Sequence, residues 1–505
     1  MVNRALFPKS SIHVSDRAIG LALCLLARRY RLKRDRNMAY QSINPSSGEL
    51  LAAYPELSDS DLELAIAKAD QAYREAWRRY SVDERAKVLT KAASILLERK
   101  EEYAQYLTLE MGKLIGEAYA EVDITAGILQ YYAKNAKKYL APKALPEAPT
   151  AQVSIEPIGV ILGIEPWNFP YYQVARVAGP QLMAGNVLLL KHAENVPQSA
   201  LALARLFEDA GTPAGVYTNL FATIEQIGRV IDDPRVRGVT VTGSETAGAA
   251  VAGRAGRALK KVVAEMGGSD PLLVLEDAPL ESTLDSALFG RMFNCGQCCV
   301  GSKRFIVVGQ ARGKAFLDGF VERMSSLHAG DPLHPATTLA PLSSGKALKL
   351  LLDQIAQAQA GGANVVLGGK RIDRPGYFLE PTVITEIDAN NPIYQQELFG
   401  PVAAIYVVDS EAQAIALANA TSFGLGASIF TADVERGRAV AVEIESGMVF
   451  INQPAWTAPE LPFGGIKNSG FGRELSERGF YEFVNEKLVN VAPPGASPWG
   501  PVIPS

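Results

Sequence analysis

The feature that most constrains the fold is a regular alternation of short apolar segments and helical segments after residue 150. The apolar segments at 187–191, 239–242 and 262–265 are rich in Leu and β-branched residues and have the length of buried strands. The segments at 198–210 and 246–258 have the composition and length of helices. Short strands that alternate with helices are typical of βαβ units, so the sequence predicts a parallel sheet and an α/β fold.

A second alternating series follows the cysteine-rich segment near residue 298. Its strand-like segments are 304–308, 364–367 and 402–408, and its helical segments run to about 326 and over 411–419. Upstream, residues 58–138 have helical spacing, and a Pro-rich break separates them from a strand predicted over 151–164. We therefore expect two α/β domains with additional helices on the first.

The composition excludes several classes for this chain of 505 residues. Hydrophobic residues make up 48% and charged residues 21%, which excludes a disordered, collagen-like or coiled-coil protein. The net charge of -4 hides a basic segment, because residues 1–37 carry nine Lys or Arg and two Asp. We expect a disordered extension there, although a transit-type presequence has a similar composition. The acidic remainder does not suggest nucleic acid as a partner, and the apolar run 18–27 is too short to span a membrane.

Three of the four cysteines lie within five residues, in the segment RMFNCGQCCVGSKR. A disulfide framework spreads its cysteines along the chain, so this cluster indicates a reducing, cytoplasmic compartment and a local thiol function. Cys298 and Cys299, which follow a Gly-Gln pair, favour a nucleophile close to a bound ligand. The Cys295-x-x-Cys298 spacing also occurs in zinc and thioredoxin-like sites, but it lacks a second ligand pair, so no metal is expected.

Two further segments carry groups that suit acid–base or oxyanion chemistry. Glu265 ends an apolar strand just before Gly267-Gly268, and burial there would raise its pKa into the range of a general base. Asn168 lies in the segment EPWNFP after another strand, where its amide would be a fixed hydrogen-bond donor for a developing oxyanion.

Two other segments suit a nucleotide. Gly243 and Ser244 form a strand-to-helix turn, where backbone N–H groups at a helix N-terminus bind phosphate. Lys191 and Glu194 follow the strand at 187–191, at the end of the sheet where ligands bind, and would contact ribose or phosphate. Each of these motifs alone also fits an ordinary capped helix or a polar loop.

These segments occur together, in this order, in the aldehyde dehydrogenase superfamily, which the chain resembles from about residue 43 to residue 473. The segments ELFGP at 397–401 and PFGGIK at 462–467 also match its signatures, and the pattern is most like the bacterial succinate-semialdehyde dehydrogenase group. The resemblance implies a Rossmann-like cofactor domain, an α/β catalytic domain and a small β oligomerisation element. These would comprise, respectively, residues 38–138 with 153–266, residues 267–475, and residues 139–152 with 476–495, before a loose tail at 496–505.

The resemblance also assigns roles to individual positions. Cys299 matches the nucleophile that attacks an aldehyde carbonyl, and Glu265 matches the base that activates water. The Asn168 amide and the Cys299 backbone N–H would stabilise the oxyanion. The positions that match contacts to a nicotinamide dinucleotide are Ile164, Trp167, Lys191, Glu194, Gly243, Ser244, Glu397 and Phe399.

The residue at position 194 bears on the choice of cofactor. A carboxylate there suits the free hydroxyls of an adenosine ribose and repels a 2′-phosphate, so we expect NAD rather than NADP. Relatives with Ser at this position tend to take NADP, and Lys191 would help to bind a phosphate, so NADP remains the alternative.

Arg176 matches the arginine that succinate-semialdehyde dehydrogenases use for the distal carboxylate of the substrate. It lies two helical turns after Asn168, and its alternative role is that of a salt-bridged helix arginine. Tyr172 in the same segment and Trp456, which replaces a small polar residue common in that group, are the other candidate substrate contacts. The sequence thus predicts NAD(P)-dependent oxidation of succinate semialdehyde to succinate, with another short or hydroxylated aldehyde as the alternative.

Three further expectations follow from the same comparison. Cys298 is a candidate regulatory thiol, because a reversible disulfide with Cys299 would stop activity. The strand-like segment 483–492 crosses to a partner subunit in relatives, so we expect a homodimer or homotetramer. A non-catalytic binding protein on this fold is a competing interpretation, but it predicts loss of Cys299, Glu265 or Asn168, and all three are present.

Overall fold

The computed structural model describes residues 39–496, which form an α/β fold with two large sheets. The strands are β1 (Tyr40–Ile43), β2 (Leu50–Tyr54), β3 (Lys143–Ala144), β4 (Ala151–Pro157), β5 (Val160–Glu165), β6 (Val187–His192), β7 (Tyr217–Asn219), β8 (Val236–Thr242), β9 (Lys261–Glu265), β10 (Pro271–Val274), β11 (Arg304–Val308), β12 (Asn364–Leu367), β13 (Thr382–Thr385), β14 (Val402–Val408), β15 (Gly426–Phe430), β16 (Met448–Ile451), β17 (Gly470–Phe471) and β18 (Val484–Asn490). The α-helices are α1 (Asp59–Gln71), α2 (Val82–Glu98), α3 (Lys100–Met111), α4 (Ile115–Tyr139), α5 (Pro170–Ala184), α6 (Pro197–Ala210), α7 (Ile224–Asp232), α8 (Glu245–Arg257), α9 (Leu280–Met292), α10 (Gln310–Ser325), α11 (Gly345–Ala360), α12 (Glu411–Asn419), α13 (Val434–Glu443) and α14 (Ser476–Tyr481).

The first large sheet has the strand order β17-β9-β8-β5-β6-β7. Strands β5 to β9 run parallel, and the short β17 pairs antiparallel with β9. The chain moves outward from β5 through β6 and β7, then returns to the other side of β5 for β8 and β9. Such a reversal opens a crevice at the carboxyl ends of β5 and β8, which is where open α/β sheets bind their ligands.

The second large sheet has the order β12-β13-β14-β11-β10-β15-β16, and it is parallel except for β12. The strands predicted at 304–308, 364–367 and 402–408 are confirmed as β11, β12 and β14. The sequence analysis did not assign β10, β13, β15 or β16, which are four- and five-residue strands with no alternating pattern to mark them.

The prediction of one strand over 151–164 is wrong. This segment forms β4 and β5, which belong to different sheets and are separated at Ile158-Gly159. Gly159 has a φ of 133°, a conformation that favours glycine and that turns the chain from one sheet into the other. Strand β4 instead pairs with β3 and β18 in a small sheet whose order is β18-β4-β3.

Helix α5 shows how local sequence positions the site. It begins at Pro170, whose fixed φ suits the first helical turn, and it ends before Gly185, which has a φ of 102°. No side chain of its own first turn caps it. Instead, the Glu121 carboxylate of α4 accepts hydrogen bonds from the N–H groups of Tyr171 (2.8 Å) and Tyr172 (3.2 Å). Every residue of α5 is buried, so other parts of the fold surround the helix on all sides.

Several expectations lie partly or wholly outside the described part of the chain. The predicted basic extension at residues 1–37 lies outside it, as does the predicted loose tail beyond residue 496. The division into domains remains a prediction, although β17, which falls within the range 267–475, pairs with β9 of the first sheet. Within residues 39–496 no helix has the length and apolar character needed to span a bilayer.

Candidate active site

The carboxyl ends of three neighbouring strands bring polar groups to one place. Glu165, Thr242 and Glu265 are the last residues of β5, β8 and β9, and Glu265 is in register with Thr242. The thiol segment reaches the same place, because Asn168, three residues after β5, donates its amide to the carbonyl oxygen of Gln297 (3.2 Å). The structure therefore brings together the strand ends and the cysteine segment that the sequence analysis singled out separately.

The cysteine segment is held in an unusual backbone conformation between α9 and β11. Asn294 and Cys295 have φ angles of 55° and 54°, in the left-handed region, which Asn tolerates better than most residues. The Asn294 side chain donates to the carbonyl oxygens of Asn168 (2.8 Å) and Gln297 (3.1 Å), and its N–H donates to the Glu117 carboxylate (2.9 Å). Sequence reasoning missed Asn294 and Glu117, because only the folded turn reveals their role.

Cys298 and Cys299 differ in environment although they are neighbours. Cys298 is buried, whereas Cys299 is half-buried. The hydrogen bond between the two thiols lowers the pKa of Cys298 to about 7, and the same bond raises the pKa of Cys299. The ammonium group of Lys303 favours a thiolate here and donates to the carbonyl oxygens of Cys298 (2.9 Å) and Cys299 (2.6 Å). The two thiols thus behave as one hydrogen-bonded pair with a stabilised negative charge.

The Asn168 amide has a defined orientation. Its Oδ1 accepts a hydrogen bond from the Gln173 side chain (3.3 Å), so its Nδ2 is left to face the cysteine segment. Asn168 is buried and therefore shielded from water that would compete for this donor. This is the arrangement expected of an oxyanion donor beside a nucleophile.

Glu265 has the environment of a general base. Its side chain is buried and its two oxygens have no hydrogen-bond partner among the described residues. Burial, and then the negative charge of Glu474, raise the pKa of Glu265 well above its usual value. The structure also brings Glu165 to this site, a carboxyl group to which the sequence analysis gave no role. Burial and the charge of Glu474 raise the pKa of Glu165 as well.

Arg176 lies buried next to these carboxylates. Its Nε is 2.7 Å from a Glu474 oxygen, and it also contacts the Gln173 side chain and Thr242 (3.2 Å). Although burial opposes its charge, Glu474 raises the pKa of Arg176. Its Nη1 has no hydrogen-bond partner among the described residues. The arrangement therefore has the salt bridge of the alternative interpretation, together with one buried donor that has no hydrogen-bond partner among the described residues.

The residues predicted to bind the adenosine end lie at the mouth of the crevice. Lys191 Nζ is 3.7 Å from Glu194, whose side chain is half exposed, and burial lowers the pKa of Lys191. Ser244 caps α8, and a Cβ atom at Gly243 would meet no atom within 4 Å. Open space before a helix N-terminus fits a pyrophosphate, and the Lys–Glu pair fits a ribose, so these residues fit a dinucleotide.

The residues predicted to bind the nicotinamide end are also close to one another. The Glu397 carboxylate accepts a hydrogen bond from the N–H of Gly268 (3.2 Å) and forms an ion pair with Lys303 (3.0 Å), which connects it to the cysteine segment. The rings of Trp167 and Phe399 meet edge to face at 5.8 Å. Ile164 of β5 is half-buried and packs against Val241 of β8 and Ala264 of β9.

The two other predicted substrate contacts, Tyr172 and Trp456, lie on segments that are joined to each other. The Tyr172 hydroxyl hydrogen-bonds to the Thr457 hydroxyl (2.8 Å), which joins α5 to the loop that carries Trp456. Trp456 is 38% exposed and packs against Phe293 at 5.2 Å. Among residues 39–496, no three His, Cys, Asp or Glu side chains are grouped as metal ligands would be.

Comparison with known proteins agrees with this geometry. The chain matches the model of the aldehyde dehydrogenase family over residues 32–489. The succinate-semialdehyde dehydrogenase, NADP(+), of Deinococcus radiodurans is 48% identical over 465 residues, which cover 91% of this chain and 96% of that protein. The probable succinate-semialdehyde dehydrogenase, NADP(+), of Synechocystis is 43% identical over 456 residues, with 90% and 100% covered.

Solved structures agree as well. The crystal structure of succinic semialdehyde dehydrogenase from Streptococcus pyogenes in complex with NADP+ has a TM-score of 0.88 and 45% identity, and covers 90% of this chain and 99% of that chain. The chain therefore belongs to the aldehyde dehydrogenase family and has its α/β fold, so both predictions are confirmed. These relatives are named for NADP(+), which does not support the expected preference for NAD.

Proposed function

We propose that this protein oxidises an aldehyde to a carboxylic acid with a nicotinamide dinucleotide, and that Cys299 is the nucleophile. The observation that carries this proposal is the oriented Asn168 amide, which points at the cysteine segment while a buried Glu265 lies nearby. An oxyanion donor, a hydrogen-bonded thiol pair that carries a stabilised negative charge and a base of raised pKa are together the groups that covalent aldehyde oxidation requires.

The residues would act in sequence. The Cys299 thiolate adds to the carbonyl carbon, and Asn168 donates a hydrogen bond to the oxygen that becomes negative. A dinucleotide held by Gly243, Ser244, Lys191 and Glu397 would supply the acceptor for the hydride that leaves this carbon, which would leave a thioester on Cys299. Glu265 then takes a proton from water, the water oxygen adds to the thioester, and the carbon–sulfur bond breaks to free the acid. The sum is one aldehyde, one oxidised dinucleotide and one water converted to a carboxylate, the reduced dinucleotide and two protons.

A pair of serine variants tests the nucleophile. We expect Cys299→Ser to lower kcat by at least about 10³-fold, because a hydroxyl of high pKa is a poor nucleophile without an adjacent base. Cys298→Ser is the matched neighbour and should keep most of the activity. The measurement is dinucleotide reduction at 340 nm together with mass spectrometry of a trapped thioester. Loss of activity in Cys298→Ser with retention in Cys299→Ser would reverse the assignment.

We propose NAD as the preferred cofactor, although the relatives named above carry NADP(+) in their names. The support is Glu194, whose carboxylate pairs with Lys191 and would lie against a 2′-phosphate. In Glu194→Ser we expect the ratio of kcat/KM for NADP over NAD to rise by about tenfold or more, because removal of the repulsion leaves Lys191 free to bind the phosphate. A wild-type enzyme that already prefers NADP would contradict this argument.

We propose a short anionic aldehyde, succinate semialdehyde, as a substrate. Relatives with that name support it, and so does the Nη1 donor of Arg176, which has no hydrogen-bond partner among residues 39–496. The salt bridge with Glu474 weakens this support, because it already neutralises the guanidinium. A homo-oligomer, a reversible Cys298–Cys299 disulfide and a cytoplasmic location remain predictions.

A further inference from the structure

The two thiols follow a turn whose backbone is left-handed at three consecutive residues. Asn294, Cys295 and Gly296, which we call the left-handed turn, have φ angles of 55°, 54° and 72°. For residues other than glycine this conformation is disfavoured, because the Cβ atom comes too close to the following carbonyl oxygen. Asn294 and Cys295 therefore need contacts from outside the turn that hold them in this conformation.

Glu117 of α4 supplies such a contact from a distant part of the chain. Its Oε1 accepts a hydrogen bond from the N–H of Asn294 (2.9 Å), the first residue of the left-handed turn. Its Oε2 accepts one from the N–H of Leu114, just before α4 (3.3 Å). Because both oxygens act as acceptors, the carboxyl group is fixed to the start of α4 on one side and holds the turn on the other.

The left-handed turn connects Glu117 to the reacting groups. The Asn294 side-chain amide donates to the backbone carbonyl oxygens of Asn168 (2.8 Å) and Gln297 (3.1 Å). The side-chain amide of Asn168 donates to the same Gln297 oxygen (3.2 Å). A shift of Asn294 would therefore move both the oxyanion donor and the residue that precedes the two thiols. Glu117 is thus connected to the site through Asn294.

The charge of Glu117 changes within the neutral range of pH. Burial raises its pKa to about 7, although the hydrogen bond from Asn294 and the charge of Lys113 favour the ionised form. The titratable groups that face it, among the described residues, are Lys113 and Cys295. Lys113 is paired with Glu121, and Cys295 stays neutral because burial raises the pKa of its thiol. Of these groups, Glu117 is the one that titrates near pH 7.

Protonation of Glu117 would weaken its hold on the turn. A carboxylate accepts hydrogen bonds at both oxygens, whereas in the protonated form one oxygen carries the proton and becomes a donor. The N–H groups of Asn294 and Leu114 are donors as well, so the hydrogen bond at that oxygen is weakened. A charged acceptor also binds an N–H more strongly than a neutral one does. The left-handed turn is therefore held more firmly above about pH 7 than below it.

We propose that Glu117 is a positioning residue that, in its ionised form, holds the left-handed turn and so presents Asn168 and Cys299 to the aldehyde. The inference rests on the proposed function, because the step it serves is the addition of the Cys299 thiolate to the carbonyl carbon. Glu117 exchanges no proton with the substrate. What is new is a second carboxyl group that controls the pH dependence of the reaction, at an earlier step than Glu265.

The experiment measures the first turnover, as the rapid phase of dinucleotide reduction with succinate semialdehyde, at about pH 8.5 and about pH 5.5. This phase precedes hydrolysis, so Glu265 does not contribute to it. Glu117→Gln keeps the shape of the side chain, cannot ionise, and imitates protonated Glu117 at every pH. Its rate should be about tenfold below wild type at the higher pH, the effect of one lost hydrogen bond to a charged acceptor, and within about twofold at the lower pH.

Glu102→Gln is the matched control, because it makes the same chemical change at an exposed position of α3. Its rate should equal that of wild type at both pH values. Titration of the two thiols is common to the three proteins, so it cancels when their rates are divided. A ratio of wild type to Glu117→Gln that is the same at both pH values would overturn the proposal, because a merely structural role does not depend on ionisation.

A second measurement does not depend on catalysis. Hydrogen–deuterium exchange of the peptide 289–297, corrected for the intrinsic effect of pH, reports on the N–H of Asn294. We expect wild type to be better protected than Glu117→Gln at the higher pH and equally protected at the lower one. If this pattern appears but wild type oxidises no aldehyde, the proposed function fails and the hold of Glu117 on the turn stands. If aldehydes are oxidised and protection is equal at both pH values, the positioning role is refuted and the proposed function stands.

Discussion

At the scale of single residues, the site contains one buried guanidinium group and three buried carboxyl groups. Arg176 lies buried near Glu165, Glu265 and Glu474, and these carboxyl groups all have raised pKa values, chiefly through burial. One guanidinium balances one carboxylate, so the remaining carboxyl groups ionise less readily than exposed ones do. The proposed role of Glu265 as a base therefore requires a pH high enough to ionise its carboxyl group.

This reasoning gives a pH prediction for Glu474→Gln. After burial, the Glu474 charge is the next cause that raises the pKa of Glu265, so its removal should lower that pKa. The acid limb of the kcat profile for the hydrolysis step should then move to lower pH. Glu477→Gln, on an exposed position of α14, is the control and should leave the limb in place. An unchanged limb in Glu474→Gln would contradict the proposed coupling.

At the scale of elements, the start of α5 is fixed by a carboxylate from another helix. Glu121 accepts two N–H groups of α5 and pairs with Lys113, and both side chains are buried. Asn168 lies just before this helix start and Arg176 lies within the helix, so Glu121 helps to position both side chains. The cap is invisible in the local sequence of α5, since it comes from a residue about 50 positions earlier.

We expect Glu121→Gln to lower the free energy of unfolding by about 3 kcal/mol, because it leaves the charge of Lys113 buried without a counter-ion. Glu102→Gln, on an exposed position of the neighbouring α3, should change it by less than about 0.5 kcal/mol. Urea denaturation followed by circular dichroism measures both. Adding Lys113→Met to Glu121→Gln should recover part of the loss, and a failure to do so would argue against the ion pair as the cause.

At the scale of the whole molecule, the small sheet leaves an open edge. Within residues 39–496, strand β18 pairs with β4 on one side only, and Leu488 on β18 is 62% exposed. An exposed strand edge with an apolar side chain is a template for pairing with another chain. This supports the predicted homodimer or homotetramer, with β18 at the interface between subunits.

Leu488→Glu tests this interface, because a charge in place of an apolar contact should weaken assembly. We expect a shift toward smaller species by size-exclusion chromatography with light scattering at micromolar concentration. Val442→Glu, a similarly exposed position on α13, is the control and should leave the assembly unchanged. Identical masses for wild type and Leu488→Glu would remove β18 from the interface.

The sequence by itself determined the α/β class, the family and the segments that carry Cys299, Glu265 and Asn168. It could do so because strand–helix alternation and the contiguous motifs around these residues are local properties of the chain. Only the tertiary structure decided how Arg176 is paired, since its partner Glu474 lies about 300 residues away. It alone also showed that Gly159 divides one predicted strand between two sheets, and that Trp456 joins Phe289 and Phe293 in one surface. Long-range packing selects these partners, and no local pattern encodes them.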